Sequence, residues 1–483
     1  MDRVKKFLFQ NTSTKQTIAK NTFWLFLSEV SGRLLKMILI IYAARVLGAS
    51  GWGVFSYAIS IGSLLMIFSD IGISGLITRE VIQKKEGYLV FISTALLLRI
   101  TILLISTLLV VLVSPSISHI TEARVLFPII AAILFFDSMK DLGFAINRAS
   151  ERMEMEMIVT IIMNIVILGF GILLLKIKLA PESIATAYAI GSATGFIVIA
   201  IIIKKDIKRL LSKIDRSMFK LVIQTTWPFA IITLVGSIMG NTDIFMLGLW
   251  KNSTEIGLYA SVQRIQQFVL IIPAMIAIAA FPILSRLAHK EKKQFGIILE
   301  KTISLIMIIG VPTAIGGVLL SGQLIPMIFG SGYLGAIPIM RILMLMLLAS
   351  FPLILLSNAI FAYNKQTNLA LAYSSGVIAN VILNLLLIPK FGAVGSAIAT
   401  FISTTITTVI VWNKIKTINY FEVLPKLKKA FFATMVMIIS IIMLKYLGIN
   451  VILNIIISSV VYFCSLLLLK ESIFVEIREI MNI

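Results

Sequence analysis

Three ionisable side chains, Glu29, Arg33 and Lys36, stand in the middle of an otherwise apolar run near the start of the chain. On a helix, with its advance of about 100° per residue, the three lie within about 60° of one another, and Gly32 is close beside them. A cation at the centre of a lipid-facing helix costs on the order of 2.5–3.5 kcal/mol on insertion scales, so this narrow face must look into protein or a wet cavity. Arg99, Arg264 and Arg341 interrupt later apolar runs with no carboxylate at helical spacing on their own segment. These six are the candidate cavity residues. Cations outnumber carboxylates among them, which suits an anionic cargo such as a phosphate or pyrophosphate better than a cationic one.

A second group is acidic. Asp137 and Asp141 lie one helical turn apart with Lys140 between them, and Arg148 continues the same side. Burying two carboxylates at that distance makes them candidates for coupling to H+ or Na+, and Asp243, in a later apolar run, is the third candidate. For each group a plainer reading stands beside the functional one. Glu29 with Arg33, and Asp137 with Lys140, have the spacing of ion pairs that neutralise themselves, and Asn380 with Asn384 has the spacing of an interhelical hydrogen-bond ladder. Gln263, Gln266 and Gln267 extend the polar arc around Arg264.

The elements that position these residues are membrane spans. With 59% hydrophobic and 13% charged residues over 483 positions, the chain is far more apolar than an ordinary globular domain. A hydrocarbon core of about 30 Å needs ~20 apolar residues as a helix. Fourteen stretches comply, at about 21–45, 53–70, 88–113, 125–147, 156–176, 183–203, 219–249, 257–284, 296–320, 335–362, 367–388, 392–412, 428–446 and 449–470. Pro228, Pro273, Pro312 and Pro352 fall within spans and permit bends there. Trp24, Trp52, Trp227, Trp250 and Trp412 all lie near span ends, where indole prefers the interface.

The net charge of +21 follows topology. Basic residues collect in every second connection, most densely between 204 and 220, and leave the intervening ones nearly bare. Positive residues stay on the cytoplasmic side, which places both termini inside and makes the span count even. Attraction to anionic lipid headgroups follows from this pattern, and a nucleic-acid partner does not.

The spans are built as six, six and two. The second span is entered through ARVLGASGWGVFSYA, with Gly53 and Phe55, and the eighth through KNSTEIGLYASVQRI, with Gly257 and Tyr259. The sixth and twelfth share a small-residue pattern, SIATAYAIGSA against AVGSAIATFIS. A common offset of roughly 204 to 213 residues joins these matches, as in an internal repeat. Six spans per copy make the repeat parallel, with an axis along the membrane normal and substrate handled near the interface of two lobes. The expected organisation is an N-terminal tail (1–20), an N-lobe (21–203), a cytoplasmic linker (204–218), a C-lobe (219–416), and two further spans with the C-terminal tail (417–483). The fold class is therefore all-α and polytopic, with 14 transmembrane helices in two six-helix lobes plus an added pair.

Enzymatic classes fit poorly. The lone Cys464 excludes an internal disulfide or a CxxC metal site, and His119 and His289 fall in connections on opposite sides of the membrane. No phosphate-cradling glycine loop is present, so neither ATP hydrolysis nor a cofactor is expected. A glycosyltransferase or polymerase acting on polyprenyl-linked sugars needs acidic groups or a metal site in a sizeable loop. The outward connections are short, and their carboxylates Glu122, Glu182 and Glu255 are isolated.

The motifs ARVLGASGWGVFSYA, DIGISGLITRE at 70–80, GLYASVQRI at 257–265, FPILSRL at 281–287, FGSGYLGAIPIMRIL at 329–343 and FGAVGSAIATFIS at 391–403 occur in order along the chain. This set resembles the polysaccharide and O-antigen flippases of the multidrug/oligosaccharidyl-lipid/polysaccharide exporter superfamily. The resemblance implies two six-helix lobes in a V around a central cavity, worked by alternating access. It further implies movement of lipid-linked oligosaccharides from the cytoplasmic to the outer leaflet, with membrane lipids around the protein and polysaccharide assembly proteins as partners. Drug and cation antiporters of the superfamily usually have twelve spans, which the pair at 428–470 exceeds. Lipid II flippases have fourteen, and their cationic first helix is partly echoed by Arg33 and Arg45; the departure is Lys36, where that family tends to have an acidic residue.

Overall fold

The computed structural model describes residues 14–69, 88–149, 152–204 and 219–471. Most of the expected N-terminal tail, the linker after 204, the motif at 70–80 and the chain after 471 lie outside the described residues. Among the described residues every regular element is helical. Ten helices among the described residues are long and apolar enough to cross a membrane.

By its contacts the chain divides into two compact units, Met1–Gly257 and Leu258–Ile483. The first contains α1 (Thr14–Leu65), α2 (Tyr88–Ile117), α3 (Phe127–Ala149), α4 (Met153–Ile177), α5 (Pro181–Ile202) and α6 (Phe219–Trp250). α1 is two helices joined at Gly48, whose φ of 68° is open to glycine and strained for other residues. Close packing sets the positions of the polar residues here. A Cβ on Gly32 would meet Thr160 Cγ2 at 2.9 Å, and one on Gly171 would meet Leu39 Cδ1 at 2.6 Å, so each of α1 and α4 seats a side chain in the other's glycine notch and the two helices pack closely. The core between α2, α3, α4 and α5 is built from Ala95, Leu96, Leu142, Phe144, Val159 and Ile199. α6, where the expected second lobe was to begin, packs on α1 and α2.

The second unit holds most of α7 (Ser253–Val269) and all of α8 (Ile271–Leu287), α9 (Lys292–Phe329), α10 (Ile337–Ala362), α11 (Gln366–Ile418), α12 (Lys428–Tyr446) and α13 (Val451–Leu468). α7 and α8 interrupt one another at Leu270, three residues before Pro273, which lacks a backbone donor. α11 is again two limbs, joined at Gly392 with φ of 57°. α10 is the buried axle of this unit, packed against α8, α9 and α11. Both units leave wide apolar faces outward, among them Leu104, Leu108, Leu112, Ile439, Ile442 and Val460. Side chains of this kind and density are at home in lipid, and the protein is membrane-embedded.

Candidate functional site

In the first unit α1, α3, α4 and α5 bring the charged residues into one cluster. Glu29 accepts from Arg33 Nε at 2.9 Å, one turn along α1, and both side chains are exposed. Lys36, one turn further, acts on Asp137 of α3 as a second positive charge. Lys140 Nζ, with a side chain only 9% exposed, donates to Asp137 Oδ1 at 2.8 Å and lies 3.8 Å from Asp141 Oδ1. Ser192 of α5 lies beside Asp137. The stem of Lys140 runs past Gly195 and Met163, where a larger residue at 195 would collide with it. Asp141 is exposed and sits in the fields of Arg99 and Arg148 as well as Lys140. Arg99 is 1% exposed, and its Nη2 donates to the carbonyl of Ser138 at 3.1 Å.

Two cross-helix pairs flank the cluster at its N-terminal end. Lys20 Nζ meets Glu154 Oε2 at 3.3 Å, both buried, and Arg148 binds Glu156 through two donors, Nε at 2.8 Å and Nη2. Sequence spacing gave no sign of either pair, since the partners lie on different helices. The available signal was two glutamates, Glu154 and Glu156, in the first turn of a span next to a basic connection.

The cluster therefore holds alternating charges along α1 and α3. Glu29, Arg33, Asp141 and Arg148 are open to a probe, and Lys140 and Arg99 are packed behind them. Such a surface can accept a polar, anionic group while the buried cations hold the carboxylates in place.

The remaining candidates fall elsewhere. Asp243 is 2% exposed in α6. Arg264, in α7, donates from Nη1 to Gln267 Oε1 at 3.0 Å. Arg341 is exposed near the start of α10, with Nε donating to Ser321 Oγ of α9 at 3.1 Å. Asn384 donates to Asn380 Oδ1 at 3.0 Å, and Asn380 donates to Thr400 Oγ1 at 3.4 Å, across the two limbs of α11. Tyr259 meets the same hydroxyl at 3.2 Å.

The second unit also carries a feature with no counterpart in the sequence reading. An apolar cavity of about 350 Å³ opens between α7, α9, α10, α12 and α13, lined by Ile265, Pro312, Gly317, Met344, Met437 and Ile455 among others. Tyr462 OH closes its floor by donating to the carbonyl of Ile308 at 2.6 Å. A groove of this volume and lining takes hydrocarbon chains and offers almost nothing to a sugar.

Residues 18–288 match the family described as "Polysaccharide biosynthesis protein". A Haloferax volcanii protein named "Probable low-salt glycan biosynthesis flippase Agl15" is 23% identical over 398 residues, which cover 81% of this chain and 82% of that protein. Among solved structures, "Lipid II flippase MurJ, inward closed conformation" superposes with a TM-score of 0.77 at 20% identity, covering 93% of this chain and 99% of that one. An inward-facing multidrug resistance transporter of the MATE family, in the MOP superfamily, superposes with a TM-score of 0.58 at 15% identity, over 86% and 97% of the two chains.

Proposed function

Because the chain belongs to the polysaccharide biosynthesis protein family, we propose that it is a flippase for lipid-linked oligosaccharides. Its cargo is a glycan on a polyprenyl phosphate or pyrophosphate, moved across the cytoplasmic membrane by alternating access for cell-surface polysaccharide or glycoprotein assembly. One observation carries this reading: a single chain holds both a cluster of alternating charges within its helices and an apolar groove of about 350 Å³. An amphiphilic cargo needs both, whereas a soluble sugar or a hydrophobic drug needs one. The protein is a transporter and not a catalyst, in keeping with its family.

The finer architecture belongs to the same reading. Two of the ten long apolar helices bend at Gly48 and Gly392, and each half is itself of span length or close to it. With those halves separated, and with α3 and α6 included, the helices number fourteen. The lobes are 21–203 and 219–416, joined by a cytoplasmic linker at 204–218, and both termini are cytoplasmic. The basic connections support this orientation. Glu29, Arg33, Lys36, Arg264 and Arg341 line the path of the phosphates and sugars, and Arg99, buried against the Ser138 carbonyl, supports that path from behind. Asp137, Asp141 and Asp243 are the groups through which H+ or Na+ couples to transport, and polysaccharide assembly proteins receive the cargo.

Mass spectrometry of lipid-linked glycans in a deletion strain tests the proposal. A completed polyprenyl-linked oligosaccharide should accumulate and should clear when the wild-type chain is restored. Accumulation of lipid II in its place would assign the chain to the cell-wall branch of the superfamily. No change in any lipid-linked glycan would overturn the proposal.

A further inference from the structure

The end of the first unit away from Lys20 and Glu154 contains an unusually close approach of two helices. The second limb of α1 starts at Ala49 and reaches Gly53 one turn later, and α7 starts at Ser253 and reaches Gly257 one turn later. A Cβ built on Gly53 would lie 1.7 Å from the carbonyl oxygen of Ser253, and one built on Gly257 would lie 1.8 Å from that of Ala49. Carbon and oxygen normally approach to about 3.3 Å. The obstructing atoms are backbone, which no change of rotamer moves aside. Beside them Ser50 Oγ and Ser253 Oγ are 2.8 Å apart.

The two approaches are images of each other. One 204-residue step carries Ala49 to Ser253 and Gly53 to Gly257, and it is the step that relates the two copies of the repeat. Glycine of the first copy faces backbone of the second, and glycine of the second faces backbone of the first. On the repeat reading, the crossing joins a helix of one copy to the matching helix of the other.

We propose that Gly53 and Gly257 are positioning residues of the transport cycle, forming a seal at the outer end of the path that closes in this conformation and parts in the next. The inference gives the flippase reading its outer gate and rests on that reading for its role in transport. Two backbones in direct contact leave no channel for water or cargo. At the crossing the contact is backbone against backbone with one hydroxyl pair, Ser50 with Ser253, and parting it breaks a single side-chain hydrogen bond there. A seal of this kind is tight when closed and easily reopened, as an element with two arrangements requires.

The test uses the full chain with Cys464→Ser and the pair Ser50→Cys and Ser253→Cys, oxidised with copper phenanthroline in native membranes. The disulfide should form rapidly. With Gly53→Ala or Gly257→Ala added, its yield at fixed time should fall at least about fivefold, the shift expected when an overpacked contact is wedged apart. This arm needs no cargo. An absent crosslink, or a yield that alanine leaves unchanged, overturns the inference. In a deletion strain carrying the pair, oxidation should stop the appearance of surface glycan and dithiothreitol should restore it. Undiminished surface glycan from fully crosslinked protein also overturns the inference, because the contact then never parts. If wild type and empty vector give equal surface glycan, the flippase reading fails instead, and the crosslinking arm still decides the glycine contact.

Discussion

Tyr462 is the anchor that holds the terminal helix pair to the rest of the second unit, and the reason lies one helix away. Pro312 sits inside α9 and has no N–H, so the carbonyl four residues earlier, that of Ile308, loses its helical donor. Tyr462, 1% exposed on α13, donates its hydroxyl to that oxygen at 2.6 Å. A neighbouring helix thus satisfies the acceptor that proline left open, as the bilayer interior demands. Tyr462→Phe removes the donor and leaves a buried carbonyl unpaired. Unpaired burial costs about 1–3 kcal/mol, while interhelical hydrogen bonds in membranes measure about 0.6 and at most ~1.7 kcal/mol. The expected loss is therefore about 1–2 kcal/mol in unfolding free energy, read by titrating detergent-solubilised protein with SDS. The decisive comparison is with Pro312→Ala, which restores an N–H for Ile308. In that background Tyr462→Phe should cost less than about 0.5 kcal/mol, giving a coupling near 1 kcal/mol in a double-mutant cycle. Equal losses in both backgrounds would refute the reasoning, since the hydroxyl would then be serving something other than the carbonyl that Pro312 exposes.

Three further outcomes are expected. Arg33→Gln with Lys36→Gln should reduce flipping at least about tenfold while membrane insertion and monodispersity are kept, since both side chains are on the cluster's open side; normal surface glycan from the pair would remove them from the path. Lys140→Met should destabilise the protein by about 2–3 kcal/mol, because it strands carboxylates around a nearly buried site, and adding Asp137→Asn should return at least half of that loss in thermal unfolding. A cysteine at position 212, in a Cys464→Ser background, should react with impermeant maleimide only after the membrane is opened; robust labelling of intact cells would invert the proposed topology.

Periodicity and length located the helices well because spanning a bilayer is a strong, local constraint. The span read at 296–320 runs from Lys292 to Phe329, and that at 428–446 has the bounds of α12. What spacing along one helix can encode was also legible: Glu29 with Arg33 and Asp137 with Lys140 form the pairs their intervals allow. Contacts between helices were not legible. Lys20 with Glu154 and Arg148 with Glu156 depend on how α1, α3 and α4 cross, which is set by Gly32 and Gly171 packing against Thr160 and Leu39. The apolar groove escaped for a related reason. Its lining residues are the same leucines, isoleucines and methionines that face lipid elsewhere, and only their placement distinguishes them. Arg99, read as a cavity residue from its isolation in α2, is buried against the carbonyl of Ser138, a partner no single-helix pattern reveals.

The charged face of α1 sets a timing problem during synthesis. Glu29 and Arg33 neutralise each other as soon as their turn of helix forms. Lys36 has its electrostatic partner, Asp137, about a hundred residues later, and Lys20 has Glu154, 134 residues later. At about 5–20 residues per second, the ribosome delivers those partners some 5–30 s after α1 is ready to leave the translocon. During that interval Lys36, in the middle of α1, lacks the field of Asp137, and a cation in mid-helix is costly in lipid. The first helix is therefore expected to stay beside the insertion machinery until α3 and α4 emerge. Truncated nascent chains ending before Asp137 should crosslink to the translocon through α1, and chains extending past Glu154 should release it.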